Sequence, residues 1–464
     1  MRAIAMDGTT AACVAILGLV CISATSPSQT AVHRIGADVI VTSAPVYRPL
    51  AALSGQQRFP QGAQLLRIHN GDAEPLVAGF AATADADVSF DATTVVFSGK
   101  KSEGDPWQIW ELTLATHAVR KIISSDSDAI RPLYLPASRL VYARLATRGF
   151  QIESAALDGT GVQQLTYLPA SAVPDQILHD GRILFESGFP LGAGSTPEMY
   201  LVYQDGSGVE SYRCDHGVGR WGGRQLGSGD IVFTHGAALA RFASPFAHEV
   251  PMAAPRAEYA GGIVETSRGE WLVSARSVAG KHFVLDLYDP ARAVAKPVLE
   301  PVFARSDRDL VQPVLIAPRN PPNRHPSALH PWNYANLLAL DARQSRDSAL
   351  KTAIASVRLD TLDAGGHEVS LGAAPVGADG SFFVQVRADA PIRFTLLDAQ
   401  GATLRQERGW FWIRRGEQRY CVGCHAGPER AAENRVPQAL LRTTTPADLT
   451  GSASVTQAAA IGGH

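Results

Sequence analysis

Two cysteines and a histidine near the carboxyl end have the spacing of a covalent cofactor site. The segment "RGEQRYCVGCHAGPE", residues 415–429, places Cys421 and Cys424 three positions apart and His425 directly after the second cysteine. Two thiols at this spacing can bond to the two vinyl groups of one haem, and the adjacent histidine then supplies a ligand to the iron. The motif therefore predicts one covalent haem c held by Cys421, Cys424 and His425.

Three other uses of this cysteine pair remain open. A thioredoxin-like redox pair is typical of a βαβ context, which the flanking sequence lacks. A zinc site needs a second pair of ligands nearby, and residues 426–463 contain neither Cys nor His. A disulfide between Cys421 and Cys424 would be strained. Covalent haem attachment is the interpretation that the spacing favours.

Residues just before the motif are candidates for haem contact. Arg415 and Arg419 carry guanidinium groups, which pair well with the carboxylates of haem propionates. Trp412, on the preceding predicted strand, is a candidate wall for the porphyrin. The alternatives are a solvated basic stretch for the arginines and ordinary core packing for the tryptophan.

The sixth position on the iron is open in the sequence. The first candidate is His330, which lies in a proline-rich segment that leads into the same domain. His367, in a predicted turn, is the second candidate, and a vacant or water-bound position is a third alternative. The metal ligands predicted here are therefore His425 and His330.

The amino terminus has the features of an export signal. Arg2 is followed by an apolar run over residues 11–22 and then by small residues around Ala24. The run is shorter than the ~20 residues that span a bilayer, so residues 1–24 are predicted to be a signal peptide and the protein to be periplasmic. An uncleaved anchor, a buried helix and a lipoprotein through Cys21 are the alternatives. Export agrees with haem c, which is attached outside the cytoplasm.

The composition favours an all-β fold and argues against nucleic acid as a partner. The chain of 464 residues contains 42 Gly and 29 Pro, a content that favours short strands joined by turns. Its formal net charge of −2 provides no general attraction for nucleic acid. Apart from the amino-terminal run, no segment is long and apolar enough to span a membrane, so peripheral or no membrane association is expected.

A weak repeat with a period of about 40–50 residues occupies residues 85–300 and is typical of propeller blades. Each copy contains an inner strand, a middle strand and a turn such as Asp158-Gly159 or Asp205-Gly206, whose glycine accepts the positive φ of a hairpin. The equivalent core positions are predicted at Phe97, Tyr142, Phe185, Phe233 and Val273. Together with early strands, the repeat predicts a six-bladed β-propeller over residues 30–312, closed by mixing early and late strands; five or seven blades remain alternatives.

The remaining chain divides into three parts. Residues 313–332, "PVLIAPRNPPNRHPSALHPW", are predicted to be a proline-rich linker. Residues 333–445 are rich in strands, with turns at Gly365-Gly366 and Asp379-Gly380, and predict a small antiparallel β-sandwich-like domain that carries the haem motif. Residues 446–464 are predicted to be a disordered tail.

Two resemblances support this division. The stretch "SFDATTVVFSGKK" resembles the repeat of TolB-type propellers within the wider class that includes WD40 proteins, although Ala92 stands where those repeats usually have glycine. Residues 313–442 resemble proteins related to the alpha subunit of hydrazine synthase, most specifically in "GEQRYCVGCH" and in Asn434, Arg435 and Pro437. This likeness implies a propeller fused to a haem c domain. Hydrazine synthase itself uses more than one haem and partner subunits, whereas this chain has one C-x-x-C-H motif, so hydrazine chemistry is not expected.

These observations predict an exported monohaem c-type cytochrome. The first hypothesis is electron transfer to or from a redox partner protein, with the propeller as docking platform. The second is a haem oxidoreductase that acts on a small nitrogen or oxygen species, and the third is a binding or scaffold protein with a structural haem.

Overall fold

The computed structural model describes residues 34–191, 194–213, 216–292, 299–303, 307–345, 350, 352–423, 434–442 and 445–451. Within these residues the fold is almost entirely β-structure, with a 3-10 helix at Ala51–Ser54 and an α-helix at Gln438–Arg442. No helix in the described part of the chain is long and apolar enough to cross a membrane. Cys214, Cys424, His425 and the predicted signal peptide lie outside the described residues.

The first three sheets follow one another along the chain, and each is an antiparallel meander. The first contains β1 (Asp38–Ala44), β2 (Gln64–His69) and β3 (Asp72–Pro75). The second contains β4 (Ala82–Val88), β5 (Thr94–Lys100), β6 (Gln108–Thr113) and β7 (Val119–Ile123). The third contains β8 (Ala129–Leu135), β9 (Arg139–Ala146), β10 (Gly149–Ala156) and β11 (Gln163–Gln164).

Three further sheets continue the same pattern. The fourth contains β12 (Ala172–Ile177), β13 (Ile183–Leu191), β14 (Gly194–Val202) and β15 (Glu210–Ser211). The fifth contains β16 (Arg220–Gln225), β17 (Ile231–His235), β18 (Ala238–Phe242) and β19 (Val250–Pro251). The sixth contains β20 (Glu258–Tyr259), β21 (Val264–Glu265), β22 (Trp271–Arg276), β23 (Val284–Tyr288) and β24 (Leu299–Phe303).

The first sheet is completed by a strand from the far end of this region. β25 (Asp309–Ile316) pairs antiparallel with β1, with Leu315 opposite Val39, so early and late strands share one sheet as the sequence predicts. Separate apolar clusters bridge each sheet to the next, and one of them joins the sixth sheet to the first through Leu285 and Val41. This cyclic packing of successive meanders defines a β-propeller architecture.

The predicted repeat positions occupy equivalent places in the structure. All five lie on the second main strand of the second to sixth sheets and are at most 1% exposed: Phe97, Tyr142, Phe185, Phe233 and Val273. The two predicted hairpin turns are present as well, because Gly159 and Gly206 both have a φ of +84°. The TolB-like turn also forms, and Ala92 adopts a φ of +57° in the position where glycine is usual.

A two-sheet sandwich follows the propeller. Its strands are β26 (Ala335–Ala339), β27 (Ser356–Leu362), β28 (Glu368–Pro375), β29 (Phe382–Val386), β30 (Ile392–Leu397), β31 (Thr403–Gln406), β32 (Gln418–Cys421) and β33 (Ala447–Leu449). One sheet has the order β28-β27-β30-β31 and the other has the order β32-β26-β29-β33. Buried side chains from both sheets form one apolar core between them, including Leu359, Val384 and Ile413.

The expectation of a purely antiparallel sandwich is wrong at the edges of one sheet. β32 pairs parallel with β26, and β33 pairs parallel with β29. The prediction that residues 446–464 are a disordered tail is therefore wrong at Ala447–Leu449, where Leu449 is buried in the sandwich core. Both edge strands return to the sheet after long connections, which allow the parallel direction, whereas the hairpins β27–β28 and β30–β31 must be antiparallel. The consequence for function is that Cys421 lies at the same end of the sheet as the carboxyl end of β26.

The proline-rich segment between Ile316 and Ala335 forms no helix or strand. Its backbone donates hydrogen bonds from Arg319 to the carbonyl of Phe90 at 2.9 Å and from Asn323 to the carbonyl of His179 at 3.0 Å. The segment therefore runs along the second and fourth sheets before it enters the sandwich.

Candidate functional site

The first cysteine of the motif ends an edge strand of the sandwich. Cys421 is paired with Ala339 in the parallel ladder between β32 and β26. The N–H of Leu340 donates to the carbonyl of Cys421 at 2.9 Å, which extends this ladder by one more bond. The Cys421 side chain packs at the margin of the sandwich core and forms no disulfide. The hydrogen bonds of this ladder therefore fix the position at which the backbone leaves the sheet after Cys421.

A close backbone contact that requires glycine occurs at Gly423, two residues after Cys421. A Cβ built on Gly423 would lie 2.8 Å from the carbonyl oxygen of Asp341 and 2.5 Å from Cβ of Gln344. Such distances are far below ordinary van der Waals contact, so the backbone of the motif lies directly on the turn after β26. Only glycine permits this approach, which explains the residue between the two cysteines.

The chain returns to the same corner of the sandwich after residues 424–433. The Arg435 guanidinium donates to the carbonyl of Leu340 at 3.1 Å and to the carbonyl of Asp379 at 3.0 Å, and it pairs with the Asp379 carboxylate. Although burial alone would raise it, the pKa of Asp379 is lowered to about 2 by hydrogen bonds from Gln438 and Ser381 and by Arg435. Arg435, one of the residues that carry the resemblance to the hydrazine synthase alpha subunit, therefore fixes the chain to the sandwich after the C-x-x-C-H motif.

Leu340 contacts the chain on both sides of the C-x-x-C-H motif, at Cys421 and at Arg435. Its N–H binds the chain that leaves at Cys421, and its carbonyl binds the chain that returns at Arg435. Residues 424–433, which contain Cys424 and His425, lie outside the described residues, and we call them the motif excursion. The described chain therefore contacts Leu340 on both sides of the motif excursion.

Arg419 is the predicted residue that lies closest to the cysteine. Its guanidinium contacts the Cys421 thiol, donates to the carbonyl of Val209 in the propeller and lies 3.7 Å from Glu417. Burial raises the pKa of the Cys421 thiol, and this effect outweighs the opposing influence of the neighbouring Arg419 cation. Arg419 therefore connects the motif to the propeller as well as to the cysteine.

The structure puts Trp412 in the core between the third and fourth sheets. The side chain is fully buried there, and its Nε1–H donates to the carbonyl of Gly206 at 3.0 Å. Nearby, the Arg414 guanidinium binds the Tyr167 hydroxyl at 2.6 Å and Asp389 at 2.7 Å. We call residues 410–419 the strap, because they join the sandwich to the propeller immediately before the motif.

The other predicted site residues are exposed. Arg415 has a side chain that is 64% exposed, with its Nε 3.9 Å from Asp389. His330 stacks on Trp332 with ring centroids 4.5 Å apart, and its N–H donates to the carbonyl of Gly416 at 3.0 Å. His367 is 83% exposed beside Asp363. The structure therefore brings Arg419 to Cys421, and it places these three residues in other contacts.

His330 lies toward the opposite end of the parallel strand pair from Cys421. Gly416, its hydrogen-bonding partner, precedes Cys421 by five residues, or about 16 Å of extended chain. Its role as sixth ligand stays a prediction.

Sequence reasoning missed a second polar cluster in the centre of the propeller. It contains the ion pairs Arg58–Asp85 and Arg131–Asp175 around a cavity that Glu186 also lines. The available signal was a break in β-forming sequence inside the inner strands, such as Arg131-Pro132 and Gln312-Pro313. In the described residues, no group of three or more His, Cys, Asp or Glu side chains is arranged to hold a metal ion.

Fold and site together define a β-propeller protein whose carboxyl-terminal β-sandwich presents a C-x-x-C-H segment. Residues 340–426 match the family model of the hydrazine synthase alpha subunit middle domain. The chain is therefore related to the hydrazine synthase alpha subunit, as the resemblance of its motifs predicts.

A solved structure with the same overall fold agrees with this architecture. Kuenenia stuttgartiensis hydrazine synthase superposes with a TM-score of 0.76 at 15% identity, covering 88% of this chain and 71% of that chain. TolB from Acinetobacter baumannii is found at a TM-score of 0.45 and 12% identity, covering 60% of this chain and 66% of that chain. No curated protein gives a significant match to the sequence.

Proposed function

We propose that this protein is an exported monohaem c-type cytochrome that exchanges electrons with a partner protein. The observation that carries the proposal is the double anchoring of the motif excursion at Leu340, which donates to Cys421 at 2.9 Å and accepts from Arg435 at 3.1 Å. A short, twice-anchored segment gives two cysteines and a histidine a limited range of positions, as attachment to one rigid porphyrin requires.

The surroundings of Cys421 fit a haem. Three large apolar side chains near the two ends of the motif excursion are strongly exposed: Tyr420 at 71%, Val436 at 61% and Leu441 at 71%. Apolar surface marks ligand or partner sites where it is contiguous, and we propose that a bound haem covers these side chains. Cys421 is half-buried and forms no disulfide with another described residue, and we propose that its sulfur forms one of the two thioether bonds.

The residues of the chain would hold and orient the group. Cys421 and Cys424 would anchor it, His425 would bind the iron, and Arg415 would provide an exposed guanidinium for a propionate. Haem contact by Trp412 stays a prediction, and its hydrogen bond to Gly206 gives it a positioning role in the strap. When bound, a haem of this type supplies reversible one-electron transfer.

The propeller is proposed as the docking platform. Its six consecutive sheets, with the sixth packed on the first, support a six-bladed ring that spans the predicted residues 30–312 and continues through β25. The alpha subunit to which the chain is related is by name one part of a multi-subunit enzyme. We therefore propose a redox partner protein within a complex, located in the periplasm after removal of residues 1–24.

The test is expression in the periplasm of a host that matures c-type cytochromes. The full chain is expected to show a Soret band, a haem c pyridine haemochrome spectrum and the mass of one added haem. Cys421→Ala and Cys424→Ala should each lose covalent haem, while Cys214→Ala, the matched cysteine control, should retain it. Wild-type protein without added haem mass would reject the proposal.

The same preparation separates electron transfer from the alternative of a haem oxidoreductase. A six-coordinate, low-spin spectrum that small ligands do not shift supports electron transfer, whereas a high-spin spectrum that shifts with them supports an enzyme of small nitrogen or oxygen species. His330→Ala tests the proposed sixth ligand, because its loss should convert a low-spin spectrum to a high-spin one. An unchanged spectrum would exclude His330.

A further inference from the structure

The innermost strand of each of the six propeller sheets has an irregularity in its pairing, and all six irregularities border the same cavity. Pairing shifts register inside β4, β8, β12, β16 and β25, and the inner strand of the sixth sheet is divided into β20 and β21. One residue at each interruption lines a single cavity of about 60 Å³: Asp85, Arg131, Asp175, Gly222, Gly261 and Gln312. We call these six residues the channel ring.

The backbone of the channel ring is unusual. Asp85 has a φ of +59°, and Arg131 and Gln312 each have a φ of +57°. Residues other than glycine seldom adopt a positive φ, because this backbone conformation costs free energy. Residues that do adopt it are often found at binding sites and other functional positions. Here the bulges turn polar side chains away from the sheets and into the cavity.

Most charges around the cavity are paired. The Arg58 guanidinium binds both carboxylate oxygens of Asp85, at 2.8 Å and 2.5 Å, and Gln312 Nε2 donates to Asp85 at 2.7 Å. Arg131 donates to Asp175 at 2.7 Å. Each of these two ion pairs has no net charge. The net charge of the cavity wall therefore depends on its remaining guanidinium and carboxyl groups, those of Arg224 and Glu186.

Arg224 is the cation without a close carboxylate. Within the described residues its nearest carboxylate oxygen belongs to Asp175, at 3.8 Å, and that same oxygen accepts the hydrogen bond from Arg131. One face of the guanidinium lies against Gly262, where an added Cβ would be 3.1 Å from Nη2. Nη1 donates to the carbonyl of Gly223 at 2.9 Å, and the side chain is 21% exposed. Nε and Nη2 make no hydrogen bond to the described residues, so they are the donors that a ligand in the cavity would engage.

The surroundings of Glu186 disfavour its ionisation beside this cation. Burial, together with the neighbouring Asp175 carboxylate, raises the pKa of Glu186 to about 8, although Arg131 and the N–H of Gly222 oppose the shift. The cavity wall carries three arginines, two aspartates and Glu186, so its formal net charge is +1 when Glu186 is neutral.

We propose that the cavity inside the channel ring binds a small monovalent carboxylate or oxyanion, of the size of formate, with Arg224, which lines the same cavity, as its main ligand. A guanidinium recognises two oxygens of such an ion in one plane. A cavity of about 60 Å³ has the scale of a few water molecules, which suits a small ion. This site is separate from the haem proposal and depends on none of its residues.

Binding should depend on the protonation of Glu186. The groups that interact with it are Asp175 from β12, Arg131 from β8, the Gly222 N–H and the Arg224 cation from β16 and, more distantly, Tyr47. Ionisation of Glu186 would place a competing anion beside Arg224. Affinity for formate should therefore be constant near pH 6–7 and fall by up to about tenfold per pH unit above pH 8.

The test is calorimetric titration of the full chain with sodium formate and with formamide, its neutral counterpart of similar size. Wild-type protein should bind one formate, with affinity at least about tenfold higher than for formamide. Arg224→Gln should weaken formate binding at least about tenfold. Arg241→Gln is the matched control, since Arg241 is 42% exposed and pairs with Asp230 on the fifth sheet; it should bind as wild type does.

Soret spectra and the pH dependence of binding provide two further tests of where and how formate binds. Soret spectra recorded during the titration separate channel binding, which leaves them unchanged, from binding to haem iron. If Arg224→Gln does not fold, the formate–formamide comparison and the pH dependence in wild-type protein decide the question. Equal binding of the two ligands, full binding by a folded Arg224→Gln, or an affinity that does not fall above pH 8 would overturn the proposal.

Discussion

Trp412 donates a hydrogen bond from its indole to the carbonyl of Gly206 at 3.0 Å, and this bond joins the sandwich to the propeller. The indole is fully buried between the third and fourth sheets, only nine residues before Cys421. Gly206 is suited to this contact because its φ of +84° and the close approach of Arg414 both exclude a side chain. The position of the haem motif relative to the propeller therefore depends on the strap.

The first prediction concerns the stability that Trp412 provides. Trp412→Phe removes the donor and leaves a small void, so we expect a loss of about 1–3 kcal/mol in the free energy of unfolding. Guanidinium denaturation followed by circular dichroism measures this loss. Trp410→Phe is the control, because Trp410 is half-buried, and it should cost less than about 1 kcal/mol. Equal losses in both variants would argue against a special role for the Gly206 bond.

A second prediction concerns Gly423. Gly423→Ala places a methyl group 2.5 Å from Gln344 Cβ and 2.8 Å from the carbonyl oxygen of Asp341, so the motif must move away from the turn. We expect a loss of about 1–3 kcal/mol in stability and a lower yield of covalent haem, measured by pyridine haemochrome per mole of protein.

The control for Gly423 is Gly104→Ala, because no atom lies within 4 Å of a Cβ at that position. Its haem yield and its unfolding midpoint should match those of wild type. Normal haem yield in Gly423→Ala would mean that the contact with the turn does not position the motif.

The repeat of the propeller could be predicted because its signals are local. Asp158-Gly159 and Asp205-Gly206 encode their own turns, and the alternating apolar pattern identified Phe97 and its equivalents as core positions. The mixing of early and late strands followed from the need to close a ring, and the pairing of β1 with β25 confirms it.

Long-range features could not be predicted in the same way. Trp412 is an aromatic residue on a predicted strand, but its partner Gly206 is more than two hundred residues earlier in the chain. Asp85 and Asp175 resemble ordinary turn residues in the sequence, and only the ring arrangement brings them together around one cavity. The parallel direction of β32 likewise depends on where a long connection returns.

A third prediction concerns Ala92 in the TolB-like turn. Its φ of +57° is unfavourable for an L-residue and natural for glycine. Ala92→Gly should therefore raise the free energy of unfolding by about 0.5–1 kcal/mol, after the greater entropy of glycine in the unfolded chain is included. Ala402→Gly, at an exposed turn position that has no positive φ, should instead lower it by up to about 1 kcal/mol. If both variants are destabilised, strain at Ala92 is not significant.

A fourth prediction concerns the pH dependence of stability through Glu186. Burial and the neighbouring Asp175 carboxylate favour the neutral acid and raise the pKa of Glu186 in the folded protein to about 8, from the ordinary glutamate value of 4.5. Between these two values the folded protein binds more protons than the unfolded chain, so this contribution to stability falls as the pH rises. It is fully present below pH 4.5 and lost as the pH rises through 8.

Glu186→Gln isolates this contribution because glutamine stays neutral and can still accept the hydrogen bond from Gly222. Urea denaturation at pH 5, 6, 7 and 8 should show wild type losing stability relative to the variant by at most about 1.4 kcal/mol per pH unit. Glu258→Gln, at an exposed ion pair with Arg276, should follow the wild-type curve within about 0.5 kcal/mol. Parallel curves for wild type and Glu186→Gln would mean that Glu186 is ionised throughout this range, and the positive charge assigned to the channel ring would then be neutralised.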